Sequence, residues 1–482
     1  MSVMIILLIV LAFLFVLFLR TLRLRKKPEN GAEENHMSTP LPEGALERFS
    51  SIIKLKTVTH NNFSRIDIEE HRRIENFFRS NYPLASSRLS LKKLNDFAYV
   101  FKWEGKLKSA KPVLFMAHFD VVPAQETGWD FPPFGGEITG AEILGRGTLD
   151  TKNSLTGILE AVENLLSKDF IPETTLYLAF GGDEEIMGLH GAVEIVKYFK
   201  EQKISFSWVL DEGSIITKKM LTMVDSPLAL IGIAEKGFAN VKLSANAVPG
   251  HASMPPEHTA SGLISRAVYR LEQNPFPAHM TTTVRSFLRA LTPHISFPLA
   301  MVFSNLFLFG PLVKLIFKKS PTTAAMVRTT QAATVLKGSS KDNVLPDYAE
   351  AIINVRILPG DTKETVLSRI KKTISDPRIK VGFTNGNDVS NPVPESDIQG
   401  NGYSVIENTI HAVYPEAVTA PFLVTATTDS RHYKEIADNI YRFVPMVLTG
   451  QDLKKIHGFN ESISIENYTL IFNFFTKLIK SL

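Results

Sequence analysis

The chain has 482 residues, enough for two domains of ordinary size, and its hydrophobic share of 44% is typical of globular proteins. A net charge of +4 with scattered basic residues excludes an extended nucleic-acid-binding surface. The absence of cysteine excludes disulfides, zinc fingers and thiol nucleophiles, so any bound metal must be held by His, Asp and Glu.

The N-terminus carries an unbroken apolar run at Val3–Leu19. Its length is close to the ~17–20 residues that a membrane-spanning helix needs, and it lacks the basic start and the small-residue cleavage site of a signal peptide. We therefore expect a single-pass membrane anchor over residues 1–20, followed by a linker over residues 21–44. The basic residues between positions 20 and 27 favour a catalytic domain on the cytoplasmic side, with a secreted or lumenal location as the alternative.

Strands and helices alternate over residues 45–234 and again over residues 386–482. Short apolar runs at Val113–Ala117 and Thr175–Phe180 predict buried strands, and apolar residues at helical spacing predict a helix over Leu155–Leu166. This alternation is typical of an α/β fold with a mostly parallel sheet and helices on both faces. We expect the two segments to form one catalytic domain.

The segment between them, residues 235–385, has a different pattern. Strand-like alternation at Phe238–Leu243 and Ala349–Ile357 and helical spacing at Ser261–Gln273 and Lys363–Ser375 predict a strand–helix–strand–strand–helix–strand order. That order is ferredoxin-like. We therefore expect an α+β domain inserted into the catalytic domain.

A long apolar insert, roughly Thr283–Arg328, interrupts this second domain and is rich in Phe, Leu and Ile. Its stretch Ile295–Phe317 approaches the length of a membrane span, but Pro298, Asn305 and Lys314 break the apolar run. The interruptions favour a buried or interfacial element over a second span.

Acidic and histidine side chains recur just after predicted strands and in the loops around them. These candidates are His118, Asp120, Asp150, Glu184, Glu185, Asp211 and His457. Because ligands bind at the carboxyl ends of the strands in an open α/β sheet, we expect these side chains to converge. Imidazole nitrogen and carboxylate oxygen suit zinc, and two ions about 3.5–4 Å apart can share a carboxylate. Cobalt or manganese could replace zinc, since geometry selects weakly among these metals.

The adjacent pair Glu184–Glu185 is the most informative of these positions. Two neighbouring carboxylates at a buried strand end repel each other unless a cation or a proton relieves them. One carboxylate can then bind a metal while the other stays free as a base.

Several motifs together resemble the co-catalytic zinc family of aminoacylases and carboxypeptidases, including carboxypeptidase S-like enzymes. The motifs are MAHFDVVPA, GRGTLDTKNS, GGDEEIMGLHGA, VLDEGS, GHASMPP, NVLPDYAEAIINVRILPG, TDSRHY and KKIHGFNESIS, and they follow the family order from about residue 55 onward. The chain is most similar to the N-fatty-acyl-amino-acid synthase/hydrolase branch. The resemblance implies a zinc exopeptidase-like α/β fold, two Zn²⁺ per subunit, and a ferredoxin-like domain that acts as a lid.

The resemblance also implies how the metals are held. Asp150 is expected to bridge the two ions. His118 and Asp211 are expected to complete one site, and Glu185 and His457 the other.

Three lid residues match positions that contact the substrate in the family. His251, in GHASMPP, is expected to reach over the scissile carbonyl, and in dimeric relatives this histidine comes from the neighbouring subunit. Asn343 and Arg356 are expected to bind the substrate carboxylate, a role that suits a guanidinium fork. A homodimer formed through the lid domain is therefore an expected partner.

The implied activity is hydrolysis of N-acyl amino acids, the acyl group being a fatty acyl chain, with the balance between hydrolysis and synthesis left open. Glu184 is expected to be the general base for a metal-activated water, and Asp120 to orient the imidazole of His118. The apolar insert and the anchor suggest that the substrate's acyl tail lies along the insert.

Two other functions remain open from the sequence. A metallocarboxypeptidase or dipeptidase acting on peptides with apolar C-termini would use every one of the same metal ligands. A membrane-anchored binding protein that has lost catalysis is disfavoured, because the ligands and the base are all present. Under either hypothesis, N-acyl amino acid hydrolase or peptidase, the substrate is a small molecule or a peptide with a free carboxylate.

Overall fold

A computed structural model describes residues 2–25, 39–384 and 389–482. Most of the predicted linker and the predicted domain boundary at residues 385–386 lie outside the described residues. The helices are α1 (Ser2–Leu24), α2 (Ala45–Ile53), α3 (Ile68–Asn81), α4 (Pro83–Arg88), α5 (Lys152–Leu166), α6 (Ala192–Glu201), α7 (Ala260–Gln273), α8 (Thr282–Leu291), α9 (Phe297–Ser304), α10 (Leu306–Phe317), α11 (Pro321–Val327), α12 (Lys363–Ile374), α13 (Asn401–Val413) and α14 (Ile465–Lys480). The strands are β1 (Ser90–Asn95), β2 (Ala98–Trp103), β3 (Val113–His118), β4 (Glu142–Leu144), β5 (Leu176–Gly181), β6 (Trp208–Asp211), β7 (Ile216–Thr217), β8 (Leu228–Glu235), β9 (Gly237–Asn246), β10 (Gly250–His251), β11 (Thr330–Lys337), β12 (Val344–Leu345), β13 (Tyr348–Ile357), β14 (Ile379–Phe383), β15 (Val389–Ser390), β16 (Val418–Val424), β17 (Ile440–Arg442), β18 (Val447–Leu448) and β19 (Ser462–Ser464).

The larger sheet has ten strands in the order β1-β2-β5-β3-β6-β17-β8-β7-β18, with β16 paired to β8. Its central strands β5, β3, β6 and β17 are parallel, and so are the β16–β8 and β18–β7 pairs. The pairs β1–β2, β2–β5, β17–β8 and β7–β8 are antiparallel. The sheet is therefore mixed, and the predicted mostly parallel sheet is not confirmed. Short connections explain part of the antiparallel pairing, because a tight turn such as the one between β1 and β2 can only join antiparallel strands.

Helices cover both faces of this sheet. Successive side chains of a strand point to opposite faces, and in β3 Phe115 and Ala117 pack in a core with α5 and α14, whereas Leu114 and Met116 pack with α6. A strand buried on both sides must be apolar throughout, which explains the continuous apolar run Val113–Ala117.

The smaller sheet is antiparallel, with the strand order β11-β13-β9-β14 and β15 beside β9. Along β9 buried and less buried residues alternate, so one face of the sheet is covered, and its core is shared with α7 and α12. Apart from the short strands β10 and β12 and the helices of the insert, the elements of this segment follow the order β9–α7–β11–β13–α12–β14.

The apolar insert forms the helices α8 to α11 and packs against the edge of the larger sheet. Val284 and Leu288 of α8 share a core with Val418 and Ala420 of β16. Helices α9 and α10 meet at an angle of 110° at Asn305. Each is much shorter than the roughly 20 residues that span a bilayer.

Helix α1 is, within the described residues, the single unbroken helix long and apolar enough to cross a membrane. An apolar helix near an N-terminus is typical of a membrane anchor and also of a signal sequence. Its last turns contact the insert, since Leu17 and Thr21 are buried there.

Candidate metal centre

Most of the predicted metal-site residues meet at the carboxyl ends of the strands in the larger sheet. His118 is the last residue of β3, Asp150 lies just before α5, and Glu184 and Glu185 form the turn after β5. His457 reaches the same place from the loop between β18 and β19. Because β5, β3 and β6 run parallel, their carboxyl ends lie together. Side chains far apart in sequence therefore come into contact.

Asp150 lies between two histidines. Its Oδ1 is 3.0 Å from Nε2 of His118, and its Oδ2 is 3.1 Å from Nε2 of His457. Oε1 of Glu185 is also 3.1 Å from Nε2 of His457. Burial alone would raise the pKa of Asp150, but the hydrogen bonds from the two histidines hold it below its ordinary value. The hydrogen bonds to Asp150 and Glu185 raise the pKa of His457 to about 10. In each contact an imidazole nitrogen lies beside a carboxylate oxygen. A proton or a cation between the two atoms can bind to both.

Asp120 is fully buried behind His118. Its Oδ1 lies 3.3 Å, and its backbone carbonyl oxygen 3.0 Å, from Nδ1 of the imidazole. Its carboxylate also accepts the backbone N–H groups of Glu184 and Glu185, at 3.0 and 3.2 Å, and the hydroxyl of Thr59 at 2.9 Å. One carboxylate therefore fixes both the direction of the His118 ring and the backbone of the two glutamates.

The structure brings Glu212, and not Asp211, to the cluster. Asp211 ends β6, and its Oδ2 accepts the backbone N–H of Ser430 at 2.9 Å. Oε1 of Glu212 lies 3.4 Å from Nε2 of His118. Successive side chains of a strand point to opposite sides, so only one of two adjacent acids can face the histidine. Sequence reasoning assigned this place to Asp211 and missed Glu212, although both belong to the same motif.

Two overlapping groups of side chains in the described chain lie close enough to hold a cation: His118, Asp150 and Glu185, and His118, Glu184 and Glu212. Burial and the charge of Asp150 raise the pKa of Glu185 and of Glu212 to about 7 each. Burial also raises the pKa of Glu184 well above its ordinary value. A cation relieves crowded buried carboxylates, and imidazole and carboxylate are ligands that zinc accepts. The residues present therefore fit a metal centre.

A cavity of about 470 Å³ opens beside this cluster. The apolar part of its lining consists of Leu149, Met187, Ile215, Phe238, Ala426, Val444, Met446, Leu453 and Ile456. Asp150, Glu184, Glu185, Glu212 and His457 line it on the side of the cluster.

Arg356, from β13 of the smaller sheet, lines the same cavity. Its guanidinium lies 4.7 Å from the centre of the Phe238 ring, and its Nη1 is buried without a hydrogen-bond partner among the residues that the structure describes. Burial lowers the pKa of Arg356, but a guanidinium stays protonated in proteins. A half-buried guanidinium on a cavity wall, with one buried nitrogen that has no hydrogen-bond partner, is suited to bind an anionic group.

His251 and Asn343 lie together, but neither lines this cavity. Strand β10 pairs with β12, and the backbone carbonyl of Asn343 accepts the N–H of Ala252 at 3.1 Å. The imidazole of His251 is exposed, and its Nδ1 lies 2.7 Å from the hydroxyl of Ser253.

The insert does not line the cavity either. None of residues 283–328, all of which the structure describes, belongs to its wall. The buried apolar side chains of the insert pack on β16 and on one another. A contact between an acyl tail and the insert stays a prediction.

The fold, this cluster and the similarity to known peptidases and hydrolases together define a hydrolase of the metallopeptidase type that acts on amide bonds. The sequence profile of Peptidase family M20/M25/M40 matches residues 114–481, and the chain belongs to this family.

Two relatives and one solved structure illustrate the similarity. A probable carboxypeptidase S-like 2 of Dictyostelium discoideum is 36% identical over 440 residues, which are 90% of this chain and 84% of that protein. The N-fatty-acyl-amino acid synthase/hydrolase PM20D1.1 of Danio rerio is 36% identical over 491 residues, covering 99% of this chain and 94% of that protein. The crystal structure of the M20 family metallo-carboxypeptidase Sso-CP2 from Sulfolobus solfataricus superposes with a TM-score of 0.68 at 17% identity, over 91% of this chain and 99% of that one.

Proposed function

We propose that this chain cleaves N-acyl amino acids with long acyl chains, with two zinc ions bound in the cluster. The observation that carries the proposal is the cavity: the carboxylates of the cluster and His457 line it together with Arg356, whose Nη1 has no hydrogen-bond partner among the described residues. An N-acyl amino acid has a carboxylate for Arg356, an amide for the cluster and an apolar tail for the remaining wall.

Each residue of the cluster has one proposed task. Glu185 and His457 would hold one ion, His118 and Glu212 would hold the other, and Asp150 would contribute to both sites. When bound, zinc polarises the amide carbonyl and lowers the pKa of water toward about 7. Cobalt or manganese would fit the same donor set.

Glu184 is the proposed general base. Its carboxylate takes a proton from the attacking water, whose oxygen adds to the carbonyl carbon. As the C–N bond breaks, Glu184 passes that proton to the leaving nitrogen, which releases a fatty acid and an amino acid. The partly buried hydrogen bond from the Glu184 N–H to Asp120 holds this base in position.

Acyl-chain preference tests the proposal. We expect kcat/KM for N-oleoyl-phenylalanine to exceed that for N-acetyl-phenylalanine and for an apolar dipeptide, because the cavity wall beside the cluster is apolar. Faster cleavage of the dipeptide would favour the second candidate, a carboxypeptidase or dipeptidase, which the carboxypeptidase S-like relatives support.

Leu453→Ala should lower kcat/KM for the oleoyl substrate about 10-fold, since each lost methylene contact is worth up to ~0.8 kcal/mol. Leu470→Ala is the control, because Leu470 is equally half-buried against the same core but lies outside the cavity.

Arg356→Ala should lower kcat/KM for N-oleoyl-phenylalanine by roughly 10–100-fold, mainly through KM, because a hydrogen bond to a charged group contributes ~1.5–3 kcal/mol. N-oleoyl-phenethylamine, which lacks the carboxylate, should be cleaved equally by both proteins. Arg369→Ala is the matched control, since Arg369 also lies over a phenylalanine ring but outside the cavity. An equal loss on both substrates would assign Arg356 a structural role.

We also propose that His251 serves the cavity of a second copy of the chain, because it is exposed and lies outside its own cavity. Glu184→Gln and His251→Ala should each be inactive alone. Co-expressed, they should regain roughly a quarter of the wild-type activity, because half of the dimers are mixed and one of their two sites is complete. A mixture that stays inactive while forming dimers would contradict this arrangement.

A further inference from the structure

Helix α10 of the insert is apolar on both of its faces. One face, with Val313 and Phe317, is buried in the core of the insert. The opposite side is solvent-exposed and consists of Phe307, Leu308, Leu312, Leu315 and Ile316, which are between 44% and 61% exposed. We call these five residues the α10 face. Contiguous exposed apolar side chains of this kind mark a surface that binds a partner or a membrane.

The α10 face does not belong to the catalytic cavity, since none of its residues lines that cavity. It is also too short to cross a bilayer, because the twelve residues of α10 extend about 18 Å. A helix of this length with an exposed apolar side can lie in the plane of a membrane surface instead.

The insert is joined to the last turns of α1. The side-chain amide of Asn305 donates to the Thr21 hydroxyl at 3.3 Å, and the guanidinium of Arg25 donates to the carbonyl of Ile295 at 3.1 Å. The rings of Phe18 and Phe297 lie 5.6 Å apart. These contacts form a specific interface between α1 and the insert.

The position of this interface along α1 sets its depth in a bilayer. Leu17 and Thr21 lie roughly 21 and 27 Å from Val3 along the helix axis. A hydrocarbon core is about 30 Å thick. If Val3 begins the span, the contact with the insert falls near the far boundary of the core, where lipid headgroups begin.

The charges of the insert fit an anionic lipid surface. Residues 283–328 contain no Asp or Glu, and their basic residues are Arg285, Arg289, Lys314, Lys318, Lys319 and Arg328. Lys318 and Lys319, at the end of α10, are exposed. Arg20 of α1 lies 5.3 Å from the centre of the Phe307 ring, next to the α10 face. Basic side chains beside an exposed apolar helix are typical of a surface that binds anionic membranes.

We propose that α1 is retained in the mature chain and that the α10 face lies on the surface of the bilayer that α1 enters, at the boundary between headgroups and acyl chains. The insert is then a second membrane contact beside the anchor. The insert packs on strand β16, which ends at Val424. The residues Ala426, Thr427 and Thr428, which follow shortly after it in the chain, line the cavity.

The absence of cysteine from the chain gives a direct test. Leu312→Cys in the full-length protein can be labelled with the fluorophore NBD and reconstituted in vesicles of phosphatidylcholine with a minority of phosphatidylserine. We expect a blue-shifted emission and a loss of intensity when the vesicles contain lipids with a nitroxide near the headgroup. Leu336→Cys, an exposed leucine of β11, is the matched control and should show neither change.

Three results would overturn the proposal. The first is an NBD group at position 312 that shows no nitroxide quenching and the same access to aqueous iodide as the control. The second is efficient cross-linking between two copies at position 312 without lipid quenching, which would place a second chain on the α10 face. The third is an intact mass showing that the mature chain has lost residues 2–25. None of these results bears on the catalytic proposal, because that depends on the cavity.

Discussion

Glu184→Gln should leave the protein folded and able to bind its metals but lower kcat by a factor on the order of 10³. The amide has nearly the same shape as the carboxylate, and the backbone N–H of residue 184 would still donate to Asp120. The side-chain amide of the glutamine, however, cannot accept the proton that the attacking water must lose. Steady-state kinetics with N-oleoyl-phenylalanine and metal analysis of the purified protein measure the two effects separately.

The neighbouring Glu185→Gln is the comparison that separates a base from a ligand. Glu185 contacts His457, which in turn contacts Asp150. We expect this variant to lose metal as well as activity, whereas Glu184→Gln loses activity alone. If Glu184→Gln kept the wild-type kcat, Glu184 would not be the base. If both variants lost metal equally, Glu184 would be a metal ligand.

The location of the site follows from sequence patterns that have a direct structural cause. The run Val113–Ala117 and, after Thr175, the run Leu176–Phe180 are apolar at every position, as strands buried on both faces must be. The polar residues that follow them, His118 and the pair Glu184–Glu185, therefore fall at the same edge of the sheet. His457 has no such local signal, and the motif resemblance pointed to it.

The choice between Asp211 and Glu212 shows where this reasoning ends. Both are acids, they are adjacent, and β6 ends between them. Period-two alternation says that they point to opposite sides, but not which side faces His118. The contact of Asp211 with Ser430 depends on a segment more than 200 residues away, which no local pattern encodes.

The sequence indicates an apolar insert at roughly Thr283–Arg328, but its contacts could not be inferred from composition. Its composition is apolar whether it covers a substrate tail, a sheet edge or a lipid surface. In the structure the insert packs against β16 and α1. Which edge strand is available for this packing depends on how strands distant in the sequence pair. The mixed character of the sheet has the same origin, since strand direction depends on how distant strands pair.

Glu212→Gln should remove one of the two proposed metal ions and, with it, nearly all activity. Oε1 of Glu212 lies 3.4 Å from Nε2 of His118, and Glu212 belongs with His118 and Glu184 to one of the two groups that could hold a cation. Loss of a hydrogen bond to a metal ligand typically weakens metal binding by about 10–100-fold, and loss of a ligand itself should weaken it further. Metal content after dialysis against a mild chelator measures this directly, without depending on turnover.

Asp211→Asn is the matched control, because it makes the same change of acid to amide at the adjacent buried position. Its side-chain oxygen can still accept the N–H of Ser430, so this variant should keep both metals. We expect it to lose some thermal stability, since a hydrogen bond to a neutral amide is weaker than one to a carboxylate. The opposite pattern, with metal lost from Asp211→Asn and kept in Glu212→Gln, would restore the assignment made from the sequence motif. It would also require the loop after β6 to turn over when metal binds, because Asp211 in its present position faces Ser430 and not His118.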